Sequence, residues 1–365
     1  MAHIKAKPLR ICYFGNYDPQ YIRAAVLIKG LEKNGAELVF CRDDSSGFKK
    51  YIKLYKEHKK LKNQYDVLYV GNHDHSRTMV LFAKLLTRKK IVWDAHYSLY
   101  DAWVFDRKLI KEKSLKAYYH WVFDYLACKC ADTIILDTEN HVDYFVSLFK
   151  APKSKFGVVF IGADEESFYP AKNEAHTTGS FIVEFHGKFI PLQGVEYIVQ
   201  AAKKLEMYPD VSFHLIGNGQ TYEQVHNIAD ELGVQNVNFI GKVPYSEILG
   251  HLQAADVCLG IFGESHKTKR VIPNKLYEAI AVGKPVITAN TPAIHELFTD
   301  KKDILLCNLA DSEDLVEKIL TLRNDRMLRK NIGENVLKLF AERLTTKEIG
   351  AQLLVYLEDS RINKN

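Results

Sequence analysis

The sequence lacks the features that would place it in a special class of protein. No apolar stretch of signal length follows the N-terminus, and no run approaches the roughly eighteen residues of a membrane-spanning helix. Low-complexity tracts, repeats and linkers rich in Pro, Gly or Ser are also missing. These absences predict a globular, soluble protein of the cytoplasm.

Standard cofactor and metal motifs are missing too. Neither G-x-G-x-x-G nor G-x-x-x-x-G-K-[ST] occurs, which argues against a standard NAD site and a P-loop. Cys128 and Cys130 have no second pair at zinc spacing, and the adjacent His73, Asp74 and His75 point in different directions at a strand end. We therefore expect no metal site. The six cysteines lie in apolar contexts, as buried thiols do in a reducing compartment.

Length and charge indicate the organisation. A chain of 365 residues exceeds one ordinary core, so two domains are expected. Residues 1–165 contain 28 Lys and Arg against 19 Asp and Glu, whereas the remainder is net acidic. No nucleic-acid motif accompanies the basic charge, so nucleic acid is not an expected partner.

The densest basic run, residues 48–62, reads FKKYIKLYKEHKKLK. Four apolar or aromatic residues recur at helical spacing, namely Phe48, Tyr51, Ile52 and Tyr55. The other faces are filled by lysines, namely Lys49, Lys50, Lys53, Lys56, Lys59 and Lys60. This pattern is typical of a helix that lies on an anionic membrane, such as the inner face of the cell membrane. The alternative is an ordinary surface helix whose lysine stems cover apolar ground.

Apolar runs alternate with helical patterns along both halves of the chain. The runs RICYFG, YDVLYVG and KIVWDAH are typical of buried parallel strands, and so are SFIVEFHG, VSFHLIG and KPVITA in the second half. This alternation predicts an α/β protein with two doubly wound, Rossmann-like domains that face each other across a cleft. We predict an N-terminal domain over 1–165, a C-terminal domain over 166–345, and a helical extension over 346–365 that packs back on the N-terminal domain.

Two segments of the second half carry the clearest chemistry. In HGKFIPLQGVEYIVQAA, a strand ends at Gly187 and Lys188 before a turn and a helix. In RVIPNKLYEAIAVGKPVI, Asn274 and Lys275 follow Pro273 in the first helical turn, and Glu278 lies one turn further on. Helix N-termini and lysines attract phosphate, whereas a carboxylate accepts hydrogen bonds from hydroxyls. Together the segments predict a site for a nucleotide sugar.

The second half resembles the donor-binding domain of retaining GT-B glycosyltransferases of the group 1 type. Besides the two segments above, the matching stretches run in family order over roughly residues 160–310, and they read IGADEESFYP, FHLIGNGQTYEQVHNIADELGVQNVNFIGKVPYSEI, HLQAADVCLGIF and HELFTDKKDILLC. The first half matches in general pattern only, as expected of a domain that binds a variable acceptor.

The resemblance implies roles for individual residues. Lys188 would contact the donor diphosphate, Glu278 would hold the ribose hydroxyls, and His96 is similar to a histidine that reaches the transferred sugar; these three are the catalytic candidates. The other candidates for donor binding are Gly187, Gln193, Gly217, Gly219, Lys242, Val243, Arg270, Asn274 and Lys275. The other candidates on the acceptor side are Gly15, Asn16 and His73.

Three positions depart from the family pattern. Arg270 stands eight residues before Glu278, where the family often has a second carboxylate, and Glu264 is a candidate to take its role. Gln193 replaces a common lysine, and Ile161 replaces a common asparagine. Loss of a charged phosphate contact costs about 1.5–3 kcal/mol, so donor binding would weaken unless Arg270 or a neighbouring lysine compensates.

The function that the resemblance implies is transfer of a sugar from a nucleoside diphosphate, UDP or GDP, to an acceptor hydroxyl with retention of anomeric configuration. No further cofactor is expected, and the acceptor would be a glycan or a lipid-linked precursor of the cell surface. Two alternatives stay open. One is a noncatalytic partner subunit that binds a nucleotide sugar, motivated by the departures at Arg270 and Gln193. The other is a nucleotide-sugar epimerase, which would form product from donor alone.

Overall fold

The structure, a computed structural model, describes residues 7–73, 76–172 and 179–358. Within these ranges the chain divides into two compact units. Unit 1 comprises the residues up to 104, residues 109–162 and the C-terminal residues from 344 onward. Unit 2 comprises residues 105–108 and 163–343.

Unit 1 is built on a sheet of six parallel strands in the order β2-β1-β3-β4-β5-β6. The strand order reverses between β1 and β3, so this is the switch point of the sheet. The strands are β1 (Arg10–Gly15), β2 (Glu37–Arg42), β3 (Val67–Val70), β4 (Lys90–Asp94), β5 (Thr133–Leu136) and β6 (Phe156–Val158). The helices are α1 (Ile22–Lys33), α2 (Lys49–Leu61), α3 (Ser76–Leu86), α4 (Leu99–Asp101), α5 (Leu115–Cys130), α6 (Glu139–Phe149) and, from the C-terminal end, α13 (Thr346–Glu358).

The helices of unit 1 cover both faces of its sheet. Four of them share one core with alternate strand residues, through Leu54 of α2, Met79 of α3, Ala127 of α5 and Phe145 of α6. Helix α1 covers the opposite face, where Arg23 contacts Asp94, the strand neighbour of the core residue Trp93. Helix α13 packs against α1.

Unit 2 has a second sheet of six parallel strands, in the order β12-β11-β10-β7-β8-β9. Read from β9, this is the Rossmann order, with the switch point between β7 and β10. The strands are β7 (Phe181–His186), β8 (Val211–Ile216), β9 (Val237–Gly241), β10 (Val257–Leu259), β11 (Val286–Ala289) and β12 (Leu305–Cys307). The helices are α7 (Val195–Lys204), α8 (Tyr222–Leu232), α9 (Ile248–Ala254), α10 (Asn274–Ala281), α11 (Ser312–Asn324) and α12 (Arg326–Arg343).

Two doubly wound α/β sheets confirm the fold class predicted from the sequence. Helices α6, α11 and α12 are additions, since the sequence analysis predicted no element for those segments. In the part of the chain that the structure describes, no helix is both long enough and apolar enough to cross a membrane.

The contact between α1 and α13 depends on two glycines. A Cβ on Gly30 would lie 2.2 Å from the carbonyl oxygen of Thr346, and a Cβ on Gly350 would lie 2.1 Å from the carbonyl carbon of Gly30. Real Cβ atoms do not approach backbone so closely. The two helix backbones therefore touch directly, and this contact attaches the C-terminal helix to unit 1.

We expect Gly350→Ala to lower the free energy of unfolding by about 1–3 kcal/mol, because the added methyl group forces α13 away from α1. Urea unfolding followed by circular dichroism measures the change. Gly250→Ala is the matched control, since this helical glycine of α9 has no atom within 4 Å of its ideal Cβ position. That substitution should be neutral or stabilising by up to about 1 kcal/mol. Equal effects of the two substitutions would contradict the close approach.

Candidate functional site

The switch point of unit 2 brings strand β7 and helix α10 together. Pro273 is the N-cap of α10, and every residue from Lys275 to Ala281 is buried. The apolar members of this helix anchor it in the core. Glu278 is carried inside with them, at 1% exposure, so it needs hydrogen-bonding partners there. Its burial excludes the alternative of an ordinary exposed helix glutamate.

Glu278 belongs to a chain of four hydrogen-bonded side chains. His186 lies between two carboxylates, with Nδ1 2.9 Å from Oε1 of Glu184 and Nε2 2.6 Å from Oε2 of Glu278. The hydroxyl of Tyr245 donates to the other oxygen of Glu278, over 2.8 Å. Each oxygen of Glu278 thus accepts one hydrogen bond from the protein and keeps a second lone pair for a ligand.

Within these four hydrogen-bonded side chains, His186 carries the positive charge. Burial by itself disfavours the imidazolium, but the negative charges and hydrogen bonds of Glu184 and Glu278 prevail and raise the pKa of His186 to about 9. At neutral pH both ring nitrogens are therefore donors, one to each carboxylate. The protonated ring offsets the repulsion between two buried acids and leaves one net negative charge at the site.

Lys275 is a buried lysine at the same switch point. Its Nζ donates to Oε1 of Gln193 at 2.6 Å and lies over the ring of Phe185. Burial lowers the pKa of Lys275 well below its usual value, although the carboxylates of Glu184 and Glu278 oppose that shift. Gln193, which replaces a lysine common in the family, thus serves as the acceptor for a lysine from α10.

Glycines allow the backbone to pass closely around these side chains. Gly187 has φ +149°, and a Cβ there would lie 3.0 Å from Nζ of Lys275. Gly217, which has φ +133°, lies so close to Gly187 that a Cβ would be 1.9 Å from the carbonyl oxygen of Gly187. A side chain at Gly217 would therefore push apart the backbones that follow β7 and β8, whereas one at Gly187 would crowd the side chain of Lys275.

The other predicted donor residues follow strands of the same sheet, at its carboxyl edge. Lys188 and Lys242 are exposed, and no described side chain forms an ion pair with Lys188. Arg270 and Asn274 are half-buried between β10 and the first turn of α10. Gly219 and Val243 follow β8 and β9. The structure therefore brings the predicted donor residues to one edge of unit 2.

The predicted acceptor residues lie at the carboxyl edge of the sheet in unit 1. Gly15 ends β1, and Asn16 donates from Nδ2 to the carbonyl oxygen of Asp43 at 2.8 Å. His73 follows β3 and His96 follows β4. His96 is half-buried and has φ +53°, a strained value for a residue other than glycine. A strained conformation is often found at functional sites.

A buried ion pair supports this edge from below. Nε of Arg23 donates to both oxygens of Asp94, at 2.8 and 3.0 Å, and both side chains are fully buried. The same guanidinium donates to the carbonyl oxygen of Val159 at 3.1 Å. Arg23 thereby joins α1 to the end of β4 and to the residue that follows β6.

The described residues contain no group of three or more His, Cys, Asp or Glu side chains placed to hold a metal ion. Of the cluster noted in the sequence, Asp74 and His75 lie outside the described residues. Cys128 is buried in the core of unit 1, and Cys130 is half-buried.

The sequence analysis missed Glu184, His186 and Tyr245. A signal for the first two was present, since polar residues two apart in the otherwise apolar run FIVEFH lie on the same side of a strand. Tyr245 left no such signal, because it reaches Glu278 from a separate short helix, Tyr245–Glu247.

Comparison with solved structures identifies the fold. HepE from Anabaena, in complex with UDP and glucose, superposes with a TM-score of 0.72 at 16% identity, over 96% of this chain and 100% of that one. Sucrose-phosphate synthase from Thermosynechococcus elongatus gives 0.75 at 15% identity, over 97% and 99%. At these identities the likeness concerns the fold alone, and this fold is GT-B.

Sequence comparison adds a family match in the second unit. Residues 170–339 match the family described as Glycosyl transferases group 1. A glycosyltransferase of Methanocaldococcus jannaschii, MJ1178, is 27% identical over 50% of this chain and 48% of its own length. A D-inositol 3-phosphate glycosyltransferase of Kribbella flavida is 25% identical over 56% and 51%. The chain thus spans about half the length of these curated relatives.

The charge on His186 predicts a pH-dependent stability. Because its pKa rises from 6.5 to about 9 on folding, its stabilising effect is complete below about pH 6.5 and is lost as the pH rises through about 9. We expect His186→Gln to destabilise by up to about 3 kcal/mol at pH 6.5 and by much less above pH 9. Urea unfolding across this range measures the difference, with His266→Gln, an exposed histidine, as control. A difference that does not change with pH would show that His186 is uncharged.

Proposed function

We propose that the protein transfers a sugar from a nucleoside-diphosphate sugar to an acceptor hydroxyl, with retention of anomeric configuration. The observation that carries the proposal is the buried carboxylate of Glu278 at the switch point of a group 1 family domain. Its oxygens each keep a lone pair, and their position at the carboxyl edge suits the two hydroxyls of a ribose. His186 and Tyr245 would hold the carboxylate in place for them.

The donor diphosphate would bind to the cations at the same edge. Lys188 is exposed at the end of β7, and the half-buried Arg270 lies just before α10. The first backbone amides of α10 add the partial positive charge of a helix N-terminus. These groups would stabilise the negative charge that develops on the leaving diphosphate. Lys275 would act on the diphosphate from beneath these groups rather than by direct contact, because its Nζ donates to Gln193.

The departing phosphate would serve as the base that deprotonates the acceptor, so the proposal assigns no enzymatic nucleophile. On the acceptor side, His96 would position the transferred sugar. The acceptor would bind beside three residues at the ends of neighbouring strands of unit 1, namely Gly15, Asn16 and His73. UDP is the first nucleotide to test, since HepE, which shares the fold, was solved with UDP.

The proposed biological role is synthesis of a cell-surface glycan or glycolipid. Relatives named for such work support it, among them the lipopolysaccharide core biosynthesis glycosyltransferase LpsD of Rhizobium meliloti, which is 27% identical over 47% of this chain. Such a role would place the protein in the cytoplasm, at the inner face of the membrane.

Nucleotide binding tests the proposal first. One nucleoside diphosphate among UDP, GDP, ADP and TDP should raise the thermal midpoint, because ligand at a hundredfold excess over its Kd stabilises by about 2.7 kcal/mol. Lys188→Ala should weaken that binding about 10- to 100-fold, as expected for loss of a charged phosphate contact. Lys338→Ala, which removes an exposed lysine of α12, should leave it unchanged. Calorimetric titration gives each Kd.

The outcomes separate the alternatives. If no nucleotide binds, the donor site is wrong. Binding without turnover toward any acceptor favours the noncatalytic partner subunit. Product formed from donor alone favours the epimerase. Transfer that Glu278→Gln abolishes supports the proposed transferase, and transfer that this variant retains contradicts the role of Glu278.

The proposal includes contact with an anionic membrane through residues 48–62. In the structure, Phe48, Ile52 and Tyr55 form one exposed stripe along α2. Five lysines of this helix are exposed, namely Lys49, Lys53, Lys56, Lys59 and Lys60. Apolar side chains beside exposed lysines are typical of helices that lie in a membrane interface.

Charge reversal tests this contact. A lysine near an anionic surface contributes about 1 kcal/mol, so Lys49, Lys56 and Lys59→Glu should lower the partition onto phosphatidylglycerol vesicles about a hundredfold at low salt. Co-sedimentation measures the partition. Lys301, Lys302 and Lys338→Glu make the same charge change on unit 2 and should have little effect. If both triple variants bind like the wild type, α2 is an ordinary surface helix.

A further inference from the structure

Helix α5 buries polar side chains beside Ala117, Ala127 and Cys128 on its inner side. Its inner side carries His120 and Asp124, which are buried against α3. There Arg77 donates to Oδ1 of Asp124 at 3.1 Å and to Nδ1 of His120 at 2.7 Å. Ser98 also donates its hydroxyl to Asp124. Polar contacts rather than apolar packing therefore make up much of the inner side of this helix.

The outer side of α5 is apolar. The residues at helical spacing on this side are Leu115, Tyr118, Tyr119, Val122 and Leu126. Four of them are exposed, Leu115 by 90%, Tyr118 by 64%, Tyr119 by 50% and Leu126 by 39%. A continuous apolar stripe of this length on a helix facing water indicates an interaction surface. We call these five residues the α5 stripe.

The α5 stripe faces the same way as the stripe on α2. Both helices cover one face of the sheet in unit 1 and share its core, with α3 between them. Tyr51 of α2 donates its hydroxyl to Thr78 of α3 at 3.0 Å, and α3 contacts α5 through Arg77. Helices that cover the same face of a sheet turn their outer sides in the same direction. The exposed Leu85 of α3 adds to this surface.

The charge around the stripe indicates what covers it. In residues 111–129 the exposed charged side chains are basic except for one, Glu112, and the basic ones are Lys111, Lys113, Lys116 and Lys129. A second copy of this chain is disfavoured, because lysines stand at both ends of the helix. A parallel or an antiparallel pairing of two α5 stripes would bring lysines against lysines. An anionic surface meets no such repulsion.

The side chains of the stripe also suit a lipid interface. Tyrosines favour the boundary between water and acyl chains, because one end of the ring is apolar and the hydroxyl stays wet. Leucines can enter the acyl region, and lysines at the ends of the helix reach anionic headgroups. Helix α5 carries leucines, tyrosines and lysines, and thus has a side chain suited to each part of the interface.

From these contacts we infer that the outer side of α5 is a membrane-binding surface, which inserts Leu115 and Leu126 into the interface of an anionic bilayer beside α2. This contact differs from that of α2 in its physical basis. The lysines of α2 act over distance and are screened by salt, whereas the α5 stripe acts by apolar burial and resists salt. The inference does not depend on the proposed transferase activity, because vesicle binding needs no nucleotide sugar.

The test compares the wild type with Leu115→Gln/Leu126→Gln, on vesicles of phosphatidylcholine that contain phosphatidylglycerol. Glutamine is a good helix former and both positions are exposed, so the fold should be unaffected. We expect the partition to fall tenfold or more, and the binding that remains at high salt to disappear. Val355→Gln/Met207→Gln is the matched control, because it removes two exposed apolar side chains, one from α13 and one from unit 2. It should bind like the wild type.

Two results would overturn the inference. The first is a partition of the Leu115/Leu126 variant equal to that of the wild type, which includes the case in which neither binds. The second is a wild type that is dimeric in lipid-free buffer and becomes monomeric in this variant, because a second copy would then cover the stripe. Light scattering during size-exclusion chromatography measures this oligomeric state.

Discussion

The positive charge on His186 holds the switch point of unit 2 together. Glu184 and Glu278 come from a strand and a helix that are distant in sequence, and each is buried at 1% exposure. Two such carboxylates repel each other strongly where little water screens them. The imidazolium between them removes the repulsion and gives each acid a hydrogen bond. The orientation of α10 against β7, and hence the position of every ligand-facing group of that helix, follows from this arrangement.

Buried ion pairs play a similar part in unit 1. Arg23 and Asp94 join α1 to the end of β4, and Arg77 and Asp124 join α3 to α5. A buried pair contributes little net stability compared with apolar packing, but removing one partner leaves an uncompensated charge that costs about 3–5 kcal/mol. Such pairs therefore select one arrangement of helices over others that would bury as much apolar surface.

The pair of Arg77 with Asp124 also bears on the outer surface of unit 1. Because α5 is held from within by polar contacts, its apolar side chains are not all needed for the core. Five of them form a stripe on the opposite side. One helix thus serves two purposes, since its inner side fixes the helix to α3 and its outer side remains for a partner. The same layer includes α2, whose exposed lysines add the longer-ranged attraction.

The sequence by itself determined the α/β class and most of the strands and helices, because apolar periodicity and turn residues are local signals. It also placed Lys188 after a strand and Glu278 one turn into a helix. It did not determine the partners of Glu278 or the pairing of Gln193 with Lys275. Those contacts join segments up to 92 residues apart. Burial by itself lowers the pKa of His186, but Glu184 and Glu278 prevail and raise it, whereas burial lowers the pKa of Lys275. Only the tertiary structure decided them, because the protonation of a side chain depends on the charges and solvent around it, which sequence periodicity does not record.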